Sequence, residues 1–361
     1  MRGIFSYAGQ RKRSVAVSVL LGCLIPMTGL AGDASQPFQN WVKKGRLIAP
    51  GFAGPKSSTR VSAPSVVRLS NGRLRMYFWA TAQDGSNYIF AAEALPDDIR
   101  NWKLVRSEPL LGPVPKGNIT DKGPGFPYVL PRQGAPWLMY YGAWGSWAPP
   151  GELSNRTGLA VSDDEGLTWR IVDETVLPLG RPGKYDAGLT GSVCVLQTSP
   201  ERYDMWYTAG ERYAILDWIR PGFKRGIVHV GHARSSDGMK WVKSACPVLS
   251  PRLDSVKGYE AVVSKPAVIV IDGVYHMWLS VFTMDGGYRL NYARSEDGVE
   301  WVRYPDKEIM RLSPGEFDSE NQSYANLVDM GDELWMFYTG NNFGATGIGL
   351  AALKKSELER R

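Results

Sequence analysis

Short runs in which hydrophobic and polar residues alternate recur along the chain. One kind of run is aromatic and carries a methionine at a fixed place, and it occurs five times. The copies are Arg75-Met76-Tyr77-Phe78, Leu138-Met139-Tyr140-Tyr141, Asp204-Met205-Trp206-Tyr207, His276-Met277-Trp278-Leu279 and Trp335-Met336-Phe337-Tyr338. A β-branched run such as Pro64-Ser65-Val66-Val67 precedes the aromatic run. Runs of this length, separated by Gly, Asn and Asp, predict β-strands.

A tight turn that leads into a tryptophan is the second repeated feature. Ser295-Glu296-Asp297-Gly298 precedes Trp301, a similar phrase stands before Trp241, and a version one residue longer stands before Trp169. Asp-Gly favours a hairpin turn because glycine accepts a positive φ and aspartate bonds its own backbone. We predict that these turns are structural and lie on the face opposite to the functional loops.

These features divide the chain into repeats of four antiparallel strands, and the fourth strand of each repeat opens on a tryptophan. The tryptophans are Trp41, Trp102, Trp169, Trp241 and Trp301. Five such repeats without a convincing helix predict an all-β fold, the five-bladed β-propeller. The last repeat ends after its third strand, near Leu353. The Trp41 strand is therefore predicted to supply the missing strand and to close the ring.

The N-terminal residues differ in character from the rest of the chain. Arg11-Lys12-Arg13 precedes an apolar run that is too short for a membrane span, and small residues up to Ala31 offer a cleavage site. We predict a signal peptide over residues 1–31 and a single propeller domain over residues 32–361. A protein with such a signal is expected to be secreted or periplasmic.

Removal of this signal takes away four basic residues and no acidic one, so the net charge falls from +6 to +2. A charge this small gives no reason to expect nucleic acid or, after cleavage, a membrane as a partner. Leu20-Leu21-Gly22-Cys23 also resembles a lipoprotein cleavage box. Apolar residues follow Cys23, however, so lipid attachment is the less favoured alternative.

Cysteine and histidine give little sign of a metal or a cofactor. Cys194 falls on a predicted inner strand and Cys246 on an outer strand of the same repeat. Three strand spacings place them about 14 Å apart, whereas a disulfide needs Cα atoms within about 7 Å. Both are predicted to be free, buried thiols. The three histidines fall within strands, so neither a metal site nor a cofactor is predicted.

Function is predicted to lie on the face that carries the longer and more variable loops. Those loops are rich in aromatic and amide side chains, which pack on sugar rings and bond sugar hydroxyls. The candidate sugar-binding residues there are Trp144, Trp147, Tyr213, Trp218, Asn341, Asn342 and Phe343. We therefore predict an oligo- or polysaccharide as the partner. The alternative is that these aromatic residues pack against one another within the loops.

Carboxylates are the candidate catalytic groups. Asp121 and Glu260 each stand six residues before an inner-strand proline, Asp186 takes the corresponding place in the third repeat, and Glu320 lies nearby in the fifth. Acids from consecutive blades would converge on the central mouth, where crowding could separate their pKa values for acid and base roles. The alternative is that a repeated position holds a structural residue that bonds linker backbone amides.

With these features the chain resembles the five-bladed propeller glycoside hydrolases, the superfamily of arabinanases, xylosidases, levansucrases and invertases. The resemblance covers roughly Trp41 to Leu353. It rests on the Ser-x-Asp-Gly-x-x-Trp turns, on Met336-Phe337-Tyr338-Thr339-Gly340 and on Thr346-Gly347-Ile348-Gly349-Leu350-Ala351. It implies three carboxylates from consecutive inner strands, acting as nucleophile or base, as transition-state stabiliser and as general acid.

The chain departs from that superfamily at the expected catalytic positions. The resemblance would place acids directly before, or two residues before, the inner-strand proline. The residues directly before it are Ala63, Phe126, Gly191, Lys265 and Tyr324, and those two before are Ser62, Gly125, Thr190, Ser264 and Ser323. None of these residues is acidic.

Two main hypotheses follow from this departure. The first is a hydrolase acting on a furanoside or related glycan, with Asp121 and Asp186 as base or nucleophile and stabiliser and Glu260 as general acid. The second is a glycan-binding propeller without hydrolytic activity. A minor alternative is a sialidase, because Ser162-x-Asp164-x-Gly166-x-Thr168-Trp169 matches the Asp-box turn of that class. Arg60 would then contact the substrate carboxylate.

Overall fold

The computed structural model describes residues 40–146, 155–211, 227–252, 259–284, 286–304 and 309–358. Regular structure in these ranges is almost entirely β-strand. The strands are β1 (Val42–Ile48), β2 (Arg60–Arg68), β3 (Leu74–Thr81), β4 (Asn87–Ala94), β5 (Lys103–Leu104), β6 (Gly123–Leu130), β7 (Trp137–Trp144), β8 (Arg156–Ser162), β9 (Arg170–Leu177), β10 (Leu189–Ser199), β11 (Arg202–Gly210), β12 (Val228–Ser235), β13 (Val242–Lys243), β14 (Glu260–Ile271), β15 (Val274–Thr283), β16 (Gly287–Ser295), β17 (Val302–Arg303), β18 (Ser323–Asp329), β19 (Glu333–Thr339) and β20 (Ile348–Lys354).

Four short helical segments complete the regular structure of the described ranges. Three are 3₁₀ turns, at Gly54–Ser57, Pro96–Asp98 and Lys355–Glu357. The fourth, α1 (Asn341–Gly344), contains two non-glycine residues with positive φ and is a turn rather than a helix. No helix in the described ranges is long and apolar enough to cross a membrane.

Four antiparallel strands form the repeating unit, as the sequence predicted. Unit 1 is β2–β5, unit 2 is β6–β9, unit 3 is β10–β13 and unit 4 is β14–β17. Unit 5 consists of β18–β20 and β1, because β1 pairs antiparallel with β20. This confirms the predicted pairing of the Trp41 segment with the last strand. A parallel bridge between Val228 and Val262 joins units 3 and 4 into one sheet.

Neighbouring units pack through their first strands and share apolar cores. β2 contacts β6, β6 contacts β10, β10 contacts β14, β14 contacts β18, and β18 contacts β2. Each of five apolar clusters is built from two consecutive units, with units 5 and 1 counted as consecutive. Each cluster contains one methionine of the repeated aromatic strand, and all are fully buried: Met76, Met139, Met205, Met277 and Met336. These methionines therefore serve packing between units.

Every first strand contains a β-bulge at the same place. The bulged residues have φ near +50°, and they are Ala63, Phe126, Ser192, Lys265 and Tyr324. The strand register shifts across each of them. In unit 3 the residue equivalent to Ala63 and Phe126 is therefore Ser192. The assignment of Gly191 to this position from the sequence was wrong by one residue. A positive φ costs a non-glycine residue of order 1–3 kcal/mol, and such strain concentrates at functional sites.

The glycine turns of units 2, 3 and 4 each join their unit to the unit before it. Asp297 Oδ1 accepts the N–H groups of Val299 and Glu300 at 2.8 Å, which fixes the hairpin. Trp206 of unit 3 donates its indole N–H to the carbonyl of Gly298 at 2.7 Å. Gly298 has a φ of +76°, and an added Cβ would lie 2.9 Å from the Trp206 ring. The turn must therefore be glycine for two reasons, and its role is structural.

The turns of units 2 and 3 make equivalent contacts. Tyr77 donates its hydroxyl to the carbonyl of Gly166 at 3.1 Å, and Tyr140 donates to that of Gly238. We call the end of the molecule that these three glycine turns form the turn face. Because the same contact recurs between units 1 and 2, 2 and 3, and 3 and 4, these turns are specific connections between units.

The prediction for the cysteines is half right. Cys194 is a free and buried thiol, as predicted, and its sulfur accepts the N–H of Val268 at 3.2 Å. The prediction for Cys246 is wrong, since this residue is only partly buried and is disulfide-bonded. The strand-spacing argument tested only the pairing of Cys194 with Cys246.

Candidate functional site

The bulges direct side chains toward a common centre. The rings of Phe126 in unit 2 and Tyr324 in unit 5 lie 5.1 Å apart, edge to face. Units 2 and 5 are separated by unit 1, whose first strand contacts the first strands of both. The two rings therefore meet across the space that the first strands surround.

Around these two rings lies a continuous group of aromatic side chains, named here the aromatic mouth. It consists of Trp79, Phe126, Trp144, Tyr288, Tyr324 and Phe343. Trp79 packs against Phe126 at 4.8 Å and stacks on Trp144 at 6.1 Å between ring centroids. Phe343 stacks on Tyr324 at 6.4 Å and meets Tyr288 at 5.7 Å. Units 1, 2, 4 and 5 all contribute to this surface.

Two members of the aromatic mouth are accessible from outside. Trp144 is half-buried at the end of β7, and Phe343 is 37% exposed in the turn α1. Both were predicted from the sequence. The other four members are buried and were missed. Phe126 and Tyr324 occupy the repeat position that corresponds to the residue directly before the inner-strand proline, where the family resemblance implied acids. Aromatic residues at this position in two repeats were the signal that could have identified them.

Polar atoms without partners lie beside these rings. The indole N–H of Trp144 and the amide oxygen of Asn155 are buried, and neither has a hydrogen-bond partner among the described residues. Asn155 fits between two glycines, since an added Cβ on Gly142 or Gly191 would lie 3.3 or 2.7 Å from its amide. Buried polar groups in native folds are nearly always bonded. Unmatched atoms occur elsewhere in the described residues as well, for example at Trp102 and Trp241, and this donor and acceptor are notable because they lie beside accessible rings.

Lys265 occupies the bulge of unit 4 and is almost wholly buried. Its ammonium lies 6.0 Å from the ring centre of Tyr128 of unit 2, whose hydroxyl donates to the carbonyl of Val195 in unit 3. Burial lowers the pKa of Lys265 to about 8, because the charged form loses its hydration. The region that the first strands enclose is thus apolar and aromatic on the side of units 1, 2 and 5. Unit 4 contributes a cation to it.

The predicted catalytic residues Asp186 and Glu260 each bind a cation of the same unit. Asp186 is buried and accepts hydrogen bonds from Lys243 at 2.5 Å and from Tyr207 at 3.3 Å. Glu260 is buried and receives both arms of the Arg303 guanidinium, at 2.6 and 2.7 Å. Lys243 and Arg303 belong to the fourth strands of units 3 and 4, so both pairs tie the beginning of a unit to its last strand.

Asp318 makes the same connection in unit 5. Its carboxylate accepts hydrogen bonds from Lys43 of β1 at 2.5 Å and from Tyr338 at 3.0 Å. Tyr338 and Tyr207 hold equivalent places on the second strands of their units. Three units thus repeat one arrangement of acid, fourth-strand cation and, in two of them, tyrosine. This repeated arrangement agrees with the alternative given above, in which the recurring acids are structural residues.

Asp121 is bonded in a different way. Its carboxylate accepts the N–H groups of Gly117 at 2.9 Å and Ser146 at 2.7 Å, together with the Ser146 hydroxyl. These hydrogen bonds, led by that from the Ser146 side chain, lower the pKa of Asp121 to about 2. The carboxylate fastens the linker before β6 to the residues that follow Trp144. No hydrogen bond or ion pair among the described residues joins any two of Asp121, Asp186 and Glu260.

The remaining predicted residues fall into three groups. Asn341 is buried, and its amide oxygen accepts the N–H groups of Glu320 and Asn321 at 2.8 and 2.9 Å, so it fixes that loop. Glu320 and Asn342 are exposed near Phe343. Trp147, Tyr213 and Trp218 lie outside the described residues.

Arg60 begins β2 at the same end of the sheet as the aromatic mouth, and its side chain is partly buried. Its Nε is buried and makes no hydrogen bond in the described part of the chain.

The histidines are engaged within the fold. His232 bonds Asp204 at 3.0 Å, and His276 bonds the Tyr292 hydroxyl at 2.6 Å. His229 bonds Ser250 at 2.9 Å through Nδ1. The described residues contain no group of three or more His, Cys, Asp or Glu side chains that could hold a metal ion.

Comparison with known proteins identifies relatives of the whole domain. No family model matches the chain. The chain is 28% identical over 318 residues to Uncharacterized protein MT1551 of Mycobacterium tuberculosis (strain CDC 1551 / Oshkosh), covering 87% of this chain and 99% of the relative.

Solved structures of glycoside hydrolases share the fold. A complex of BT0996 with RGII has a TM-score of 0.69 at 18% identity, and the match covers 88% of this protein and 92% of that one. A glycoside hydrolase follows with a TM-score of 0.68, 19% identity and the same coverage. A thermostable family-43 glycoside hydrolase has a TM-score of 0.60 at 16% identity, covering 81% and 88%. The protein therefore has a glycoside-hydrolase-like all-β fold.

Proposed function

We propose that this protein binds a glycan at the aromatic mouth of a five-bladed β-propeller. The observation that carries the proposal is the pairing of two accessible aromatic rings with buried polar atoms that lack partners in the described residues, Trp144 Nε1 and Asn155 Oδ1. The five consecutive units and their shared cores support the propeller assignment. The fold shared with glycoside hydrolases supports the choice of glycan as the ligand class.

The side chains suit this role individually. The faces of Trp144 and Phe343 offer apolar surfaces on which the C–H groups of a sugar ring pack. The Trp144 indole N–H can donate to one sugar hydroxyl, and Asn155 Oδ1 can accept from another. Each bond would give a buried group its missing partner, and a neutral hydrogen bond of this kind contributes about 0.5–1.5 kcal/mol.

Hydrolysis is the second candidate, favoured by the shared fold and by the exposed carboxylate of Asp121 beside the mouth. A general acid needs a proton to give the leaving group. The Glu260 oxygens instead face a guanidinium and those of Asp186 an ammonium, so these two carboxylates hold cations. We therefore propose that Asp186 and Glu260 are structural, and that hydrolysis, if the protein performs it, uses another proton donor.

We also propose that residues 1–31 direct export and that the remaining residues form one domain. The argument is the sequence pattern given above, and the described residues begin only at Asn40. The mature protein would then meet its glycan in the periplasm or outside the cell.

A panel of neutral and acidic oligosaccharides tests the proposal. Binding is followed by ligand-observed NMR, and samples left for a day are analysed for cleavage products. Binding without products supports the proposal. Products that persist in Asp121→Asn but vanish in Glu260→Gln, with the fold intact, would contradict it and establish the hydrolase with Glu260 in a catalytic role. The absence of binding to every member of the panel would remove the glycan assignment.

A further inference from the structure

Arg60 differs from the other cations that begin or end the strands near the linkers. Lys43, Lys243 and Arg303 each bind a buried carboxylate of their own unit. Arg60 takes part in none of the ion pairs of the described ranges, and its buried Nε makes no hydrogen bond there. Leaving a buried donor unbonded costs about 1–3 kcal/mol, more when the group is charged. The unit that carries this unmatched cation is unit 1, which has no acid at the repeated linker position.

Strand pairing places Arg60 beside the aromatic mouth. Arg60 pairs with Thr81, and two residues along the strand Ser62 pairs with Trp79. Directly paired residues and residues two apart on a strand lie on the same side of a sheet. Arg60 therefore lies on the side of unit 1 that carries Trp79, one pair closer to the strand end. Trp79 stacks on the accessible indole of Trp144, so Arg60 lies on the same side of unit 1 as the ring that Trp144 packs against.

The other polar groups of this row already have partners. Thr81 pairs with Asn87 on the next strand. Asn87 Oδ1 accepts from the Trp79 indole at 2.8 Å and from the Thr81 hydroxyl at 3.0 Å, and Asn87 Nδ2 donates to the carbonyl of Lys122 at 3.1 Å. Arg60 is thus the member of this row with donors left for a ligand.

We propose that Arg60 recognises a carboxylate on the sugar, and hence that the ligand of the aromatic mouth is a uronic-acid-bearing glycan. A guanidinium presents parallel N–H donors in a planar fork that matches a carboxylate, and the interaction also neutralises a partly buried charge. The sugar ring would pack on Trp144 with its carboxylate directed to Arg60. This inference rests on the proposed glycan-binding function and names the ligand class of the same site.

The test uses matched pairs of ligands that differ only in the carboxyl group. Oligoglucuronides, oligogalacturonides and oligomannuronides are each compared with their carboxyl-reduced, neutral counterparts in titration calorimetry with the whole protein. The wild type is expected to bind one acidic member about 10–100 times more tightly than its reduced form, the gain typical of a hydrogen bond to a charged group. Raising the salt concentration should reduce this preference.

Two arginines at the ends of one strand provide the variant and its control. Arg60→Gln should remove the preference for the acid and leave the affinity for the neutral form unchanged. Arg68→Gln, at the exposed opposite end of β2, should leave both affinities unchanged. Arg60→Met is the second variant. Because Arg60 has no protein partner in the described ranges, neither substitution should lower the melting temperature.

Each other outcome is decisive. Equal loss of acidic and neutral binding in Arg60→Gln, or equal affinities of the wild type for both forms, overturns the carboxylate assignment. Binding of neutral oligosaccharides alone overturns this inference and leaves the proposed glycan-binding function standing. Binding of no member of either series overturns both.

Discussion

The turn face and the aromatic mouth are built from the same kind of repeat, yet their aromatic side chains differ in what they bond. At the turn face the carbonyls of Gly166, Gly238 and Gly298 each accept a hydrogen bond from an aromatic side chain of the preceding unit. At the mouth, Trp144 Nε1 and Asn155 Oδ1 are buried without a partner among the described residues. The contacts at the turn face complete the fold, whereas the unmatched atoms at the mouth lie beside two accessible rings, where a ligand could bond them.

The acids of the linkers belong with the matched groups. Asp186, Glu260 and Asp318 each join the beginning of a unit to its fourth strand through a cation. In the sequence, the recurrence of Asp121, Asp186 and Glu260 in consecutive units made those three acids resemble a catalytic set. In the structure, Asp186 and Glu260 instead belong, with Asp318, to three copies of one structural contact.

The largest expected effect comes from breaking such a contact. Glu260→Gln leaves the Arg303 guanidinium buried without a counter-charge, and we expect a loss of about 3–5 kcal/mol in the free energy of unfolding. Urea denaturation measures it. The exposed Glu320 supplies the control, since Glu320→Gln should change stability by about 0.5 kcal/mol or less. A stability loss below about 1 kcal/mol in Glu260→Gln would show that this acid is free for another role.

Lys265 offers the next effect, with a definite pH dependence. Its pKa is lowered to about 8 in the folded protein, below its unfolded value, so between these two values the unfolded state binds more protons and stability rises with pH. Below the folded pKa the full cost of burying the charge is present. Lys265→Met should therefore stabilise the protein near neutral pH by roughly 3 kcal/mol.

The comparison of wild type and Lys265→Met across the pH range tests that assignment. The advantage of the variant should shrink as pH rises from about 8 toward the pKa of an unfolded lysine. The exposed Lys122 is the control, and Lys122→Met should show no such dependence. An advantage that does not change with pH would mean that burial of the charge is not its cause.

A smaller effect is expected at the turn face. Gly298→Ala places a Cβ 2.9 Å from the Trp206 ring at a φ of +76°, and we expect a loss of about 2–3 kcal/mol. Gly273 has a similar φ of +80° but nothing within 4 Å of an added Cβ. Gly273→Ala should therefore lose only about 1 kcal/mol. Equal losses in chemical denaturation would show that the contact with Trp206 adds nothing.

The smallest effect on stability should come from the mouth. Gly191→Ala would bring a Cβ to 2.7 Å from Asn155 Oδ1, so the amide must move. Because Asn155 Oδ1 holds no partner in the described residues, we expect a loss of about 1 kcal/mol or less. Glycan affinity should nonetheless fall about tenfold. Unchanged affinity would remove Asn155 from the site.

Periodic features could be predicted from the sequence and singular ones could not. The strands, the turns and the packing methionines repeat at fixed spacing, so each copy supports the others. Phe126 and Tyr324 occupy the same position of the repeat, but nothing in the sequence shows that their rings meet across the central space. The pairing of Glu260 with Arg303 likewise depends on two side chains 43 residues apart. The acids were visible in the sequence, but their partners were not.

The two tryptophans at the ends of β7 provide the most direct measurement. Trp137 begins the strand beside the Gly166 turn, and Trp144 ends it at the aromatic mouth. Both alanine variants are titrated calorimetrically with a glycan that the wild type binds. Because each variant loses the same kind of side chain, the two affinities compare the two faces directly. We predict that Trp144→Ala weakens binding at least about tenfold, the lower end of aromatic and hydrogen-bond contributions, while folded Trp137→Ala binds as the wild type does. Equal affinities of Trp144→Ala and wild type would contradict the account.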